Sequence, residues 1–197
     1  PSKTQNIKNL EKKDSLLFNN EKTLHLFKVL KEESKESLGQ MMKIKNKLLD
    51  NTYETYRNFQ EDNLRVKATN LYTGVVFKEI NFKKYSLNQT KYLNEHLVIL
   101  SSMYGVVRPS DYLWPYRLDM NMKLENINLY DYWKDPVKEY FKETKVIINL
   151  SSNEFSQMVS FYQDKIITIE FKEKDLNGKL RTVSYNAKKA RGHMVHK

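Results

Sequence analysis

Val146-Ile147-Ile148-Asn149-Leu150-Ser151-Ser152-Asn153-Glu154-Phe155 is an apolar run that gives way to a hydroxyl-rich turn. Val146 to Leu150 predicts a short buried strand. Ser152 can cap a helix that runs through Asn153, Glu154 and Phe155 to Val159. A strand of parallel type that opens into a helix places its carboxyl end where ligands usually bind, and helix N-terminal amides favour an anion there. Glu154 suits orienting a Lys or Arg from another segment, although capping by Ser152 and Glu154 accounts for the same two residues. Downstream, Lys165 to Lys172 alternates with Ile and Phe at the period of a strand. Asn177-Gly178 is a hairpin turn signal, with Leu180 to Tyr185 as the returning strand. Ala187 to Lys197 is basic and reads as helix.

Upstream the chain is helical. From Asn20 to Leu38, Leu24, Phe27 and Leu30 form an apolar stripe among Lys and Glu. Gln40 to Phe59 continues as helix, in one piece or two, with Met41, Ile44, Leu48 and Leu49 on a buried face. Ser86 to Ser102 predicts a further helix capped by Ser86, on which His96 reads as a packed histidine rather than a ligand. Tyr112 to Met122 is aromatic without a period and reads as ordered loop. Leu129 to Lys142 predicts a helix that Pro136 kinks or splits. Strands, crossover helices and a late hairpin define an α+β (mixed α/β) class: a central mixed sheet packed by helices in a single domain over 1-197. The start at Pro1 and the end at His196-Lys197 read as a piece trimmed at both ends.

Of 197 residues, 40% are hydrophobic and 29% charged, the balance of a soluble globular chain. No apolar run approaches the ~20 residues that span a bilayer, and Pro1-Ser2-Lys3-Thr4-Gln5 begins no signal peptide. The expected location is the cytoplasm, with no membrane partner. Cysteine is absent, so thiolate catalysis, Cys-ligated metal and a disulfide-linked partner are excluded within this chain. The four His residues have no ligand spacing with carboxylates, and no metal or cofactor is expected. A net charge of +10 favours polyanions through phosphate contacts and counterion release.

Further segments carry candidate chemistry. Lys3 and Thr4, in Pro1-Ser2-Lys3-Thr4, could hold a phosphate by point charge and hydroxyl, although the glycines of a P-loop are missing. Leu100-Ser101-Ser102-Met103-Tyr104-Gly105-Val106-Val107-Arg108-Pro109 reads either as a helix ending on a left-handed Gly cap or as a helix-hairpin-helix-like element. In the second reading Tyr104, Gly105 and Val106 form a hairpin whose amides meet DNA phosphates. In Trp114-Pro115-Tyr116-Arg117-Leu118-Asp119-Met120, Arg117 either grips a phosphate from an aromatic platform or pairs with Asp119. In Ala187-Lys188-Lys189-Ala190-Arg191-Gly192, Lys188 and Arg191 share one helical face beside Lys189.

In their order along the chain these segments resemble the YaaA family of peroxide stress proteins. Pro1 to Thr4, Tyr72-Thr73-Gly74, Leu100 to Met120, Leu129-Tyr130 to Trp133, Ile148 to Phe155 and Ala187 to Met194 carry the likeness, which covers essentially the whole chain. Ser102 stands where the family has Gly, and Asp119 where it has Glu. The resemblance implies a mixed α/β fold with a positively charged cleft and a helix-hairpin-helix-like element. It also implies double-stranded DNA binding that limits oxidative damage, and a leading strand and C-terminal segment beyond this chain. The expected phosphate contacts are Lys3, Thr4, Tyr104, Gly105, Val106, Arg108, Arg117, Lys188, Lys189 and Arg191. The alternative is an enzyme acting on a nucleotide or nucleic-acid substrate, with Lys3, Arg117, Glu154 and Lys188 in one cleft and Glu154 as acid/base.

Overall fold

The computed structural model describes residues 5–6, 20–60, 65–124 and 126–196. The chain opens with α1 (Asn20–Glu32), α2 (Lys35–Met42) and α3 (Asn46–Arg57). One helix was expected from Asn20 to Leu38. It is broken because the Ser34 side chain accepts the Ser37 N–H at 3.1 Å and so starts α2 afresh. Of the expected α1 stripe, Phe27 and Leu30 are fully buried and Leu24 is half-buried against the core. Leu26 is fully buried beside them, and Phe27 stacks on Phe59 at 4.0 Å.

β1 (Val66–Lys67), α4 (Ala68–Leu71) and α5 (Val75–Ile80) follow, then a 3₁₀ turn and α6 (Leu87–His96). Ser86 caps α6 through a reciprocal box, accepting the Gln89 N–H while Gln89 Oε1 accepts the Ser86 N–H. The helix stops at His96, well short of the expected Ser102. Ile99–Ser101 forms β2, which turns back antiparallel as β3 (Gly105–Val107), with Ile99 opposite Val107. A short apolar run suits either a helix face or a strand, and here the β-branched residues pair. His96 is accordingly exposed rather than packed, stacked on the exposed Tyr92 at 4.0 Å.

β4 (Tyr112–Leu113) pairs with β1, and the ordered, irregular stretch beyond it buries Tyr116, Leu118 and Met120. α7 (Leu129–Phe141) runs unsplit through Pro136. Proline has no N–H for the Tyr132 carbonyl one turn earlier. The Lys22 ammonium replaces that donor, reaching the Tyr132 oxygen at 3.0 Å while lying 4.0 Å over the Tyr132 ring.

β5 (Ile147–Asn149) leads into α8 (Asn153–Ser156) and pairs in parallel with β6 (Ile166–Thr168). β7 (Glu173–Lys174) and β8 (Leu180–Arg181) flank the Asn177-Gly178 turn, where Gly178 has φ +75°. The returning strand ends at Arg181, before the expected Tyr185, because α9 (Ser184–Met194) has begun. The mixed α+β class therefore stands. Among the described residues the strands form two-stranded pieces, one parallel and the others antiparallel, rather than a continuous central sheet. No helix among the described residues is long and apolar enough to cross a membrane.

Candidate functional site

β2 and the segment after β4 line the molecule's main concave region, and the β2–β3 turn is buried behind them. Gly105 has φ +70°, the left-handed region that glycine enters at no steric cost. An added Cβ there would stand 2.5 Å from Cε3 of the buried Trp133, so the turn admits only glycine. Trp133 Nε1 donates to the Ser102 carbonyl at 2.8 Å. Ser102 itself is buried, its hydroxyl donating to the Leu118 carbonyl at 2.5 Å. Tyr72, Ser101 and Tyr116 join through their hydroxyls, with Tyr116 2.8 Å from Ser101 and 3.1 Å from Tyr72. Burial pushes the phenols of Tyr56, Tyr72, Tyr104 and Tyr116 up from the ordinary tyrosine range.

The segment after β4 carries Arg117. Its main chain is clamped by Tyr56, whose hydroxyl donates to the Arg117 carbonyl at 2.6 Å and accepts the Arg117 N–H at 3.0 Å. Its Nε is buried without a hydrogen-bond partner. Glu154, on α8, is part-buried, and its Oε1 accepts the Met120 N–H at 2.9 Å. The residue thus ties α8 to the Arg117 loop. Ser152 precedes α8 with extended backbone and makes no side-chain cap bond, so the capping reading fits Glu154 and Ser152 only loosely.

α9 closes the region from the other side. It packs on α5 at Gly192, where an added Cβ would lie 2.6 Å from both Glu79 Cβ and the Val76 carbonyl. This close approach directs Lys188 and Arg191 toward the concave region. Arg191 Nε is likewise buried without a partner, and burial holds its guanidinium below the usual arginine value.

Two cavities adjoin here. One of about 440 Å³ is lined by Arg117, Glu154 and Lys188, together with Thr73, Phe77 and Tyr116. The other, of about 580 Å³, takes Arg108, Lys188 and Arg191 along an apolar groove between β2 and β5. Val76, Phe77, Ser152, Phe155 and Lys188 belong to both, so the two are halves of one cleft. Arg108 is braced on its rim, donating from Nη1 to the Glu95 carbonyl at 2.8 Å with its guanidinium 5.1 Å over the Tyr140 ring.

The structure thus assembles Arg108, Arg117, Glu154, Lys188 and Arg191, which are distant in sequence. It does not assemble the rest. Lys189 faces α5, with its ammonium 3.9 Å from Glu79, beside a 3.1 Å contact from His193 Nε2 to the same carboxylate. Tyr104, Gly105 and Val106 are buried in the β-hairpin and present no helix-hairpin-helix surface to a duplex. The reason is the Trp133 ring seated against the turn. Lys3 and Thr4 lie outside the described residues. Thr73 and Phe77 also line the cleft wall, and the Tyr72-Thr73-Gly74 motif is the sequence signal nearest to it. No group of three His, Asp or Glu side chains among the described residues could hold a metal ion.

The chain's relatives agree with the resemblance. The family profile described as peroxide stress protein YaaA matches residues 1–197. A UPF0246 protein of Fusobacterium nucleatum is 35% identical over 205 residues, covering 100% of this chain and 82% of the relative. A UPF0246 protein of Rickettsia peacockii is 38% identical, covering 98% of this chain and 82% of the relative. One from Finegoldia magna is 37% identical, covering 100% of this chain and 80% of the relative. With a full-length profile match and relatives at this level of identity, the chain belongs to the peroxide stress protein YaaA family.

Proposed function

We propose that the chain binds double-stranded DNA in the cytoplasm during peroxide stress and limits oxidative damage to it, holding phosphates in the cleft between α9, α8 and the Arg117 loop. The observation that carries this reading is the gathering of Arg108, Arg117, Lys188 and Arg191 around one concave region, with the Nε atoms of Arg117 and Arg191 buried and unpartnered. A buried donor without an acceptor costs ~1–3 kcal/mol, which an anionic oxygen would recover. Contacts of this kind position a backbone without reading bases, so little sequence preference is expected. With no cysteine in the chain, protection through a thiol peroxidase cycle is not open to it.

The test is a titration of labelled duplex at rising salt. Neutralising about four phosphates gives a slope near −3.6 in log K against log salt, or about 100-fold weaker binding for a roughly fourfold rise in salt. Lys188→Ala and Arg191→Ala should each weaken binding and flatten that slope by about one. A plasmid-nicking assay with peroxide and iron should then show protection by the parent chain and less by these variants. Weak duplex binding that is flat with salt would remove the reading.

A further inference from the structure

The cavity shared by Arg117, Glu154 and Lys188 extends inward from the rim of the cleft. Lys188 is exposed on the rim and can meet a backbone lying across the cleft. Arg117 lies deeper, with its Nε buried inside. Whatever satisfies it must enter. The volume, about 440 Å³, lies in the range of sites for small molecules. Bare phosphate would leave the walls of Val76, Phe77, Tyr116, Leu118 and Phe155 wet. A flat aromatic group would cover them.

The geometry points to a single nucleotide unit as the occupant of this cavity, its phosphate on Arg117 and Lys188 and its base between the apolar walls. Glu154 completes the fit. Oε1 is spent on the Met120 N–H, and Oε2 is the acceptor for a base amino group. The inference rests on reading the cleft as a phosphate-binding surface and deepens it by naming what the inner part receives. The unit comes either from a strand, as an unpaired or extruded nucleotide, or as a free mononucleotide. Extrusion costs least where the base is already unpaired.

The full chain is titrated with deoxynucleoside monophosphates, inorganic phosphate, a paired duplex and the same duplex carrying a single-nucleotide bulge. The expected result is monophosphate binding about tenfold tighter than inorganic phosphate, bulged duplex about tenfold tighter than paired, or both. A preference confined to the bulge assigns the strand as source, and one confined to the monophosphate assigns the free nucleotide. Arg117→Ala should erase the preference. Lys188→Ala, on the surface of α9, reduces it without a buried change, and Lys189→Ala leaves it intact. Equal binding in both comparisons overturns the inference, and salt-dependent duplex binding would then still stand. Loss of duplex binding with mononucleotide binding retained would instead remove the DNA reading alone.

Discussion

Gly105 is constrained twice, by a φ of +70° and by the Trp133 ring 2.5 Å from where a Cβ would stand. Gly105→Ala must strain the backbone and displace a fully buried indole that donates to Ser102. We expect a loss of about 3 kcal/mol in denaturant unfolding. The sequence marked this glycine as the centre of a turn, since a lone Gly between apolar runs is a local signal. It could not show that the turn joins strands, because the ring that forbids a side chain comes from α7. The same holds for the cations. Lys188, Lys189 and Arg191 form one basic run in sequence, yet Lys189 meets Glu79 while Arg191 lines the cleft with its Nε buried. In duplex titrations Arg191→Ala is therefore expected to weaken binding by about tenfold, as loss of a charged hydrogen bond does, and Lys189→Ala to change it far less.

At the scale of elements, the cleft depends on how closely α9 approaches α5. Gly192 permits that approach, with Val76 and Glu79 2.6 Å from the position of an added Cβ. Gly192→Ala should push α9 outward and carry Lys188 and Arg191 with it. The expected outcome is weaker duplex binding with helical content nearly unchanged, measured by anisotropy and circular dichroism on one sample. Alanine is the better helix former, so a loss of affinity would report position rather than unfolding. Elements with local signals were legible: α6 from its Ser86 cap, the Asn177-Gly178 hairpin from its turn, and β5 and α8 from the apolar run at Ile147. The break at Ser34 and the switch from helix to strand after His96 were not. In both, a capping side chain or a strand partner overrides a continuous apolar pattern.

For the whole molecule, the buried phenols set an alkaline limit. Tyr56, Tyr72, Tyr104 and Tyr116 are held neutral by burial, whereas in the unfolded chain they ionise near pH 10. Below that pH both states are protonated and stability is complete. Above it the unfolded chain sheds protons that the folded chain keeps, so stability falls as pH rises toward the raised folded values, by about 1.4 kcal/mol per pH unit for each phenol. Phenolate absorbance should therefore rise in two stages, exposed tyrosines first, with the second coinciding with loss of tertiary signal. A single smooth titration without unfolding would contradict it. Cooperativity of another kind follows from Lys22 beneath the Tyr132 carbonyl. A helix hydrogen bond that proline deletes is supplied from a different helix, more than a hundred positions earlier. The continuity of α7 is thus conditional on α1 being docked. A change that frees the first helix should be felt at Pro136 and carried along α7 to Tyr140 and Phe141, which line the cleft, without touching any residue there.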